Sequence, residues 1–184
     1  MHIRKSKLNV YNCYRSYFLT FLALIVLCFV MKSPAQSMHL ASLKKVGEGT
    51  MSWMFLDIYH AALLTKSGHY NDNTYPVALT ITYLKNINKD RLIKATKEQW
   101  LLQGYTVQQI TPWLTTLKEI WPNISDGDSL SFVIDKSRIG TFYHNKTRLG
   151  KIDSAKLSDA FIAIWLSNKT SEPALRGQLL GQGH

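Results

Sequence analysis

The chain has 184 residues, with 46% hydrophobic side chains, 22 Lys and Arg against 12 Asp and Glu, and two cysteines. Both cysteines, Cys13 and Cys28, fall within the first 35 residues, so the remainder has no disulfide and no thiol nucleophile and must be held together by packing. The formal charge of +10 overstates the basicity: five basic residues and no acidic one lie in that first segment, which leaves +5 on residues 36–184. That surplus fits an anionic ligand or peripheral contact with an anionic membrane surface, and a solvated basic exterior is the plainer reading.

The first segment has the layout of a secretory signal peptide. Arg4, Lys5, Lys7 and Arg15 precede a nearly unbroken apolar run from Tyr17 to Met31, and Ser33-Pro34-Ala35 supplies small residues at a cleavage site. The run is shorter than the ~18 residues of a spanning helix, so cleavage near Ala35 and a periplasmic or secreted protein are expected; retention as an anchor is the alternative. Residues 36–184 suit one domain with a real core.

Residues 40–66 predict two extended stretches around Gly47-Glu48-Gly49, read as a hairpin or bulge, with Trp53 to Leu64 as one strand. Lys66 to Asn73 is turn-rich, and Tyr75 to Leu84 alternates apolar and polar residues with the period of a half-buried strand. Asn88 can cap a helix with Leu92, Ile93, Thr96 and Trp100 on one face, ending near Gly104. Thr106 with Gln109 forms a capping box for a second helix, whose stripe includes Ile110, Trp113, Leu117 and Trp121; Pro112 marks its start or a kink.

Asp126-Gly127-Asp128 is a turn. Leu130 to Asp135 and Ile139 to His144 alternate as a hairpin, and Asn145-Lys146 turns into Thr147 to Ile152. Ser154 caps a helix with Leu157, Phe161, Ile164 and Trp165 inward; a short helix with Leu175, Leu179 and Leu180 stops at Gly181. Strands, two helices, strands and two helices make an α+β layout with helices on one face of a largely antiparallel sheet.

Chemistry-bearing motifs are sparse. No two histidines after residue 36 stand at helical ligand spacing, and the acidic turn lacks the later ligands of a calcium loop, so neither a metal nor a cofactor is expected. Gly47-Glu48-Gly49 lacks the third glycine and following helix of a dinucleotide loop, and no nucleophile elbow is visible. Lys85, Lys89, Arg91, Lys94 and Lys97 form a basic run without interleaved exposed aromatics, a solvated face rather than a nucleic-acid site. Trp53, Trp100, Trp113, Trp121 and Trp165, with Tyr59 and Tyr83, suit either a core or an apolar pocket.

Ordered stretches give the chain a family look. Ile58-Tyr59-His60-Ala61-Ala62-Leu63-Leu64, Ala78 to Tyr83, Trp121-Pro122-Asn123-Ile124, Leu149-Gly150-Lys151-Ile152-Asp153, Ala160 to Leu166 and Leu175 to Gly181 together resemble the bacterial chalcone-isomerase-like proteins over nearly all of residues 44–181. The resemblance implies an open-faced sandwich, a large antiparallel sheet under a helix layer with a ligand cleft between them. Its plant enzymes close a chalcone to a flavanone, whereas other members bind fatty acids without chemistry.

The enzymes' arginine on the early strand has no counterpart here: Gly47-Glu48-Gly49 stands there, with Lys44 and Lys45 the nearest cations. Tyr59 takes the place of the enzymes' threonine, as in the fatty-acid-binding members, and Asn88-Lys89-Asp90 and Ala95-Thr96 lack the tyrosine and asparagine. Ring closure needs a cation for the phenolate and donors for the enolate, and Glu48 would oppose an anion. The expectation is a non-catalytic binder of a small apolar, fatty-acid-like ligand, with no catalytic residue and with Tyr59, Tyr83 and Trp100 at the ligand. The rivals are an isomerase or intramolecular lyase with a different residue set, and an envelope interaction module whose cleft is filled by its own side chains.

Overall fold

The computed structural model describes Leu40 and residues 42–182. The leader with Cys13 and Cys28, the start of the 36–184 segment, His39 and His184 lie outside the described residues. Six strands, β1 (Lys44–Trp53), β2 (Leu56–Thr65), β3 (Val77–Tyr83), β4 (Ser129–Ile134), β5 (Gly140–His144) and β6 (Thr147–Ile152), form one antiparallel sheet in sequence order. Helices α1 (Lys89–Leu102) and α2 (Val107–Ile120) are inserted between β3 and β4, and α3 (Ala155–Leu166) and α4 (Pro173–Leu179) follow β6. This is the expected α+β, open-faced arrangement. Among the described residues no helix is long and apolar enough to cross a membrane.

Alternation along the strands decides the two faces. Leu63, Leu79, Phe132 and Phe142 stand in register across β2 to β5 and face the helices, where all four are buried. Phe132, Phe142 and Phe161 interlock with centroids 4.4 to 5.0 Å apart, and Trp121 meets Phe142 and Phe161 edge-on. On the opposite face the sheet is polar across β1 to β3, with Glu48, Thr50, His60 and Thr80 in neighbouring positions. Further along, Leu40 and Leu43 cover Ala78, Val133 and Tyr143.

The helix ends follow the sequence signals. Asn88 accepts from the Arg91 amide at 2.9 Å, Thr106 and Gln109 make a reciprocal capping box, and Ser154 accepts from the Leu157 amide. Helix α2 starts at Val107 and continues through Pro112. Trp100 is completely buried and donates its Nε1–H to the Ala160 carbonyl at 2.8 Å; one turn on, Gln103 donates to the Ala163 carbonyl. These two bonds fix α1 against α3.

Of the two readings of Gly47-Glu48-Gly49, the bulge holds and the hairpin turn does not: the turn between β1 and β2 falls later and splits the expected Trp53 to Leu64 strand, leaving Trp53 at the end of β1 and Leu56 at the start of β2. That turn is made by Met54 and Phe55, both at positive φ (47° and 68°), while Gly47 and Glu48 lie within β1 and the register shifts between Lys45 and Gly47. The glycines answer a different need: a Cβ on Gly47 would run into the carbonyls of Gln178 and Leu179, so bare backbone lets α4 lie on β1. The left-handed turn costs roughly 1 kcal/mol or more at each non-glycine residue, and Asn-Gly is the usual solution there.

Candidate functional site

Two tyrosines on neighbouring strands begin the site. The register sets Tyr59 of β2 beside Tyr83 of β3 on the helix face, with ring centroids 5.9 Å apart and planes at 63°. Trp165 of α3 donates its Nε1–H to the Tyr59 hydroxyl oxygen at 3.0 Å. That bond uses a lone pair on Tyr59 and leaves the phenolic proton to be donated elsewhere. Burial pushes Tyr59 up to about 12, with the Trp165 bond pulling back and the Glu172 charge adding to the rise. Tyr83 is raised further, again chiefly by burial and then by the charge of an ionised Tyr59. Both remain neutral donors at any ordinary pH.

Both rings border a cavity of about 330 Å³ between the sheet and helices α1 and α3. Its walls are largely apolar, with Met51, Ile81, Leu130, Phe161 and Ile164 among the lining residues. Ligand sites run from ~300 to 1,000 Å³, which places this one at the small end. The polar features are few. Arg91 and Glu172 stand in the lining, and no ion pair among the described residues engages either. Glu172 sits at the start of α4 without making a side-chain cap bond. The Ser171 hydroxyl donates to the Gln99 side-chain oxygen at 3.0 Å, tying the loop before α4 to α1. Trp121 is also in the lining, and its Nε1–H is buried with no acceptor from the protein. A buried donor without a partner is costly and is normally satisfied by something.

The sequence reading therefore divides. Tyr59 and Tyr83 both line the cavity, but Trp100 does not: its ring packs edge-on against Trp113 at 5.3 Å, inside the core. Helix periodicity gives the reason. Leu92 and Thr96 face the cavity, and Trp100, one further turn along the same stripe, lies where α1 meets α3 and the space is already filled. Trp121 and Trp165 are the tryptophans that reach the cavity.

Two charges also exchange roles. Glu48 projects from the other face of the sheet and pairs with Lys45 at 2.6 Å; the carboxylate at the cavity is Glu172. Lys44 and Lys45 lie at the far end of β1 from Met51. The cation at the cavity is Arg91, read from sequence as part of a solvated face. The signal that could have found it is its position: Arg91, Ala95 and Gln99 form a four-residue repeat beside the buried Leu92, Thr96, Trp100 stripe, and all three border the opening. Among the described residues no cluster of three His, Cys, Asp or Glu could hold a metal ion.

A meandering antiparallel sheet, one helix layer and an apolar cleft between them define the open-faced chalcone-isomerase type of α+β protein. The chain belongs to the chalcone isomerase-like family, whose model matches residues 31–181. It is 30% identical over 141 residues to an uncharacterized protein of Haemophilus influenzae, covering 74% of this chain and 67% of the relative. Among solved structures it resembles a fatty-acid binding protein of Arabidopsis thaliana with a TM-score of 0.59 and 12% identity, over 76% of this chain and 87% of the other. At that identity the likeness concerns the fold.

Proposed function

We propose that the protein is an exported, non-catalytic binder of a small apolar molecule with a polar head, a fatty acid being the reference case. The observation that carries the reading is the largely apolar cavity with a free phenolic proton at Tyr59 among its lining residues. An acyl chain suits the walls, and a head-group oxygen would accept from the Tyr59 hydroxyl. Arg91 would favour an anionic head and Glu172 would oppose one placed close to it. The Arabidopsis neighbour, a fatty-acid binding protein, supports the same ligand class. Export rests on the leader composition.

The test is native mass spectrometry of the protein recovered from its export compartment, followed by denaturing lipid extraction. A stoichiometric co-purifying fatty acid or lipid is the expected result. An empty protein that also takes up no added fatty acid would overturn the reading in favour of an interaction module. Tyr59→Phe removes one donor to the head and should weaken fatty-acid binding roughly 5- to 10-fold, the effect of about 1 kcal/mol; unchanged affinity would take Tyr59 out of the site.

A second reading has one observation in its favour. Arg91 and Tyr59 bring a cation and a neutral donor to one cavity, a pair that an isomerase or intramolecular lyase needs even though it is assembled from other positions. Turnover of a chalcone by the purified protein tests it directly.

A further inference from the structure

The most exposed apolar surface among the described residues is the tip of the β1–β2 hairpin. Trp53, Met54, Phe55 and Leu56 are 62, 70, 104 and 54% exposed. Past the Leu84 amide, which donates to the Ile58 carbonyl, β1 and β2 pair only with each other, so the tip projects beyond the end of β3. Two features argue that the tip is selected for contact. Its central residues occupy left-handed positions that Asn-Gly would fill without strain, and they are Met and Phe instead. Four consecutive apolar residues on a tight turn also present apolar groups to every side.

That second feature chooses the partner. A protein groove covers one side of a hairpin, whereas a fluid bilayer envelops it. Trp53, with an apolar ring and one N–H, suits the headgroup boundary, and Met54, Phe55 and Leu56 suit the acyl layer. The adjoining rim carries Lys85, Lys89 and Arg91, none with an ion pair among the described residues, beside Asp57, held by Ser52, Asp90, held by Lys118 at 3.3 Å, Asp128, held by His144 at 3.0 Å, and the carboxylates of Asp126 and Glu172, which no ion pair among the described residues engages. Lipid phosphates would meet the unpaired cations. The cavity lies directly behind: Met51 and Ile58, both lining it, are two residues from Trp53 and Leu56.

We infer that the β1–β2 tip is a membrane-docking loop that enters the interfacial layer of a phospholipid bilayer and holds the cavity mouth against it. The transfer of an apolar ligand from bilayer to cavity rests on the function proposed above; docking does not.

The test uses the full chain with vesicles of phosphatidylcholine and phosphatidylglycerol, a fraction of the acyl chains brominated, and reads tryptophan quenching. A leader retained as an anchor would hold the protein on vesicles but would not bring Trp53 to the bromines. Met54→Asn with Phe55→Gly is the informative variant because it relaxes the turn and touches no lining residue. Strong quenching of the parent, at least threefold reduced in this variant and in Trp53→Phe, is expected. Equal quenching in all three, or none in the parent, overturns docking, as does a dimer in the absence of lipid that the double variant dissolves. Quenching by a protein that takes up no fatty acid would leave docking standing and remove the binding function instead.

Discussion

The two ends of α1 meet the same sheet and the same helix α3, yet one end is solid and the other hollow. At Trp100 a large ring is completely buried, its N–H is bonded to the Ala160 carbonyl, and Gln103 ties the next turn to Ala163. At Leu92 and Thr96 the helix faces a cavity bordered by Tyr59, Tyr83 and Trp165. The aromatic supply is similar at both ends. The difference is what α1 brings: Trp100 fills the space between the helices, while Ala95 and Thr96 are too small to do so. The solid end holds the hollow end open, because bonds fixed at Ala160 and Ala163 set the spacing of the two helices.

Exchanging the character of the two ends is the sharpest challenge to this view. Trp100→Ala should cost ~3–5 kcal/mol, since it opens a large void in a dense region and removes the indole N–H that ties α1 to the Ala160 carbonyl of α3. Urea unfolding followed by circular dichroism measures it, and a loss below 1 kcal/mol would mean that the two ends do not differ in packing. Ala95→Phe is the converse, a larger side chain at the opening. Stability should change by less than ~1 kcal/mol, because the position is exposed and the added ring meets empty space. Fatty-acid uptake should fall at least tenfold, read by displacement of a fluorescent fatty acid. A large stability loss with intact uptake would show that the opening lies elsewhere.

A smaller effect separates the charges at the mouth. Solvent-screened charges contribute ~0.2–1 kcal/mol, so Arg91→Gln, at an exposed position, should weaken binding of a carboxylate ligand up to about fivefold, and Glu172→Gln, at a half-buried one, should strengthen it by at least a similar factor. A neutral alcohol of the same chain length should respond to neither. Equal responses of acid and alcohol would indicate that the two side chains shape the opening without sensing charge.

The legible and illegible parts of the sequence divide for physical reasons. Caps, turns and strand alternation are local, and Asn88, the Thr106–Gln109 box, Asp126-Gly127-Asp128 and the Thr147–Ile152 strand all lie where the residues suggested. Alternation also places Tyr59 and Tyr83 on one face, which is why both reach the cavity. The choice among tryptophans is not local. Trp100, Trp121 and Trp165 all sit on apolar stripes, and only the crossing of α1 over α3 decides which of them finds space. The β1–β2 turn was hidden because Met54-Phe55 is poor turn chemistry, whereas Gly47 and Gly49, which look like a turn, serve the close approach of α4.

A last contrast sets the cavity against the rim beside it under changing pH. At the rim, the Ser125 amide first, then the Asn145 amide group and His144, hold the Asp128 carboxyl down to about 2. A folded value below the unfolded one stabilises at every pH above ~4, and that contribution is lost as pH falls from about 4 to about 2. In the cavity, burial raises Tyr59 to about 12, so the folded state keeps a proton that the unfolded chain releases near pH 10. Stability therefore falls as pH rises from about 10 to about 12. Unfolding midpoints across the full range should show one shoulder at each limit. Asp128→Asn should shrink the acid shoulder alone, and Tyr59→Phe should reduce the alkaline one alone without abolishing it, because the two groups share no partner and burial also raises Tyr70 and Tyr83. If a bound fatty acid accepts the Tyr59 proton, its presence should also move the alkaline shoulder to higher pH and leave the acid shoulder in place; an unmoved alkaline shoulder would place the head group away from Tyr59.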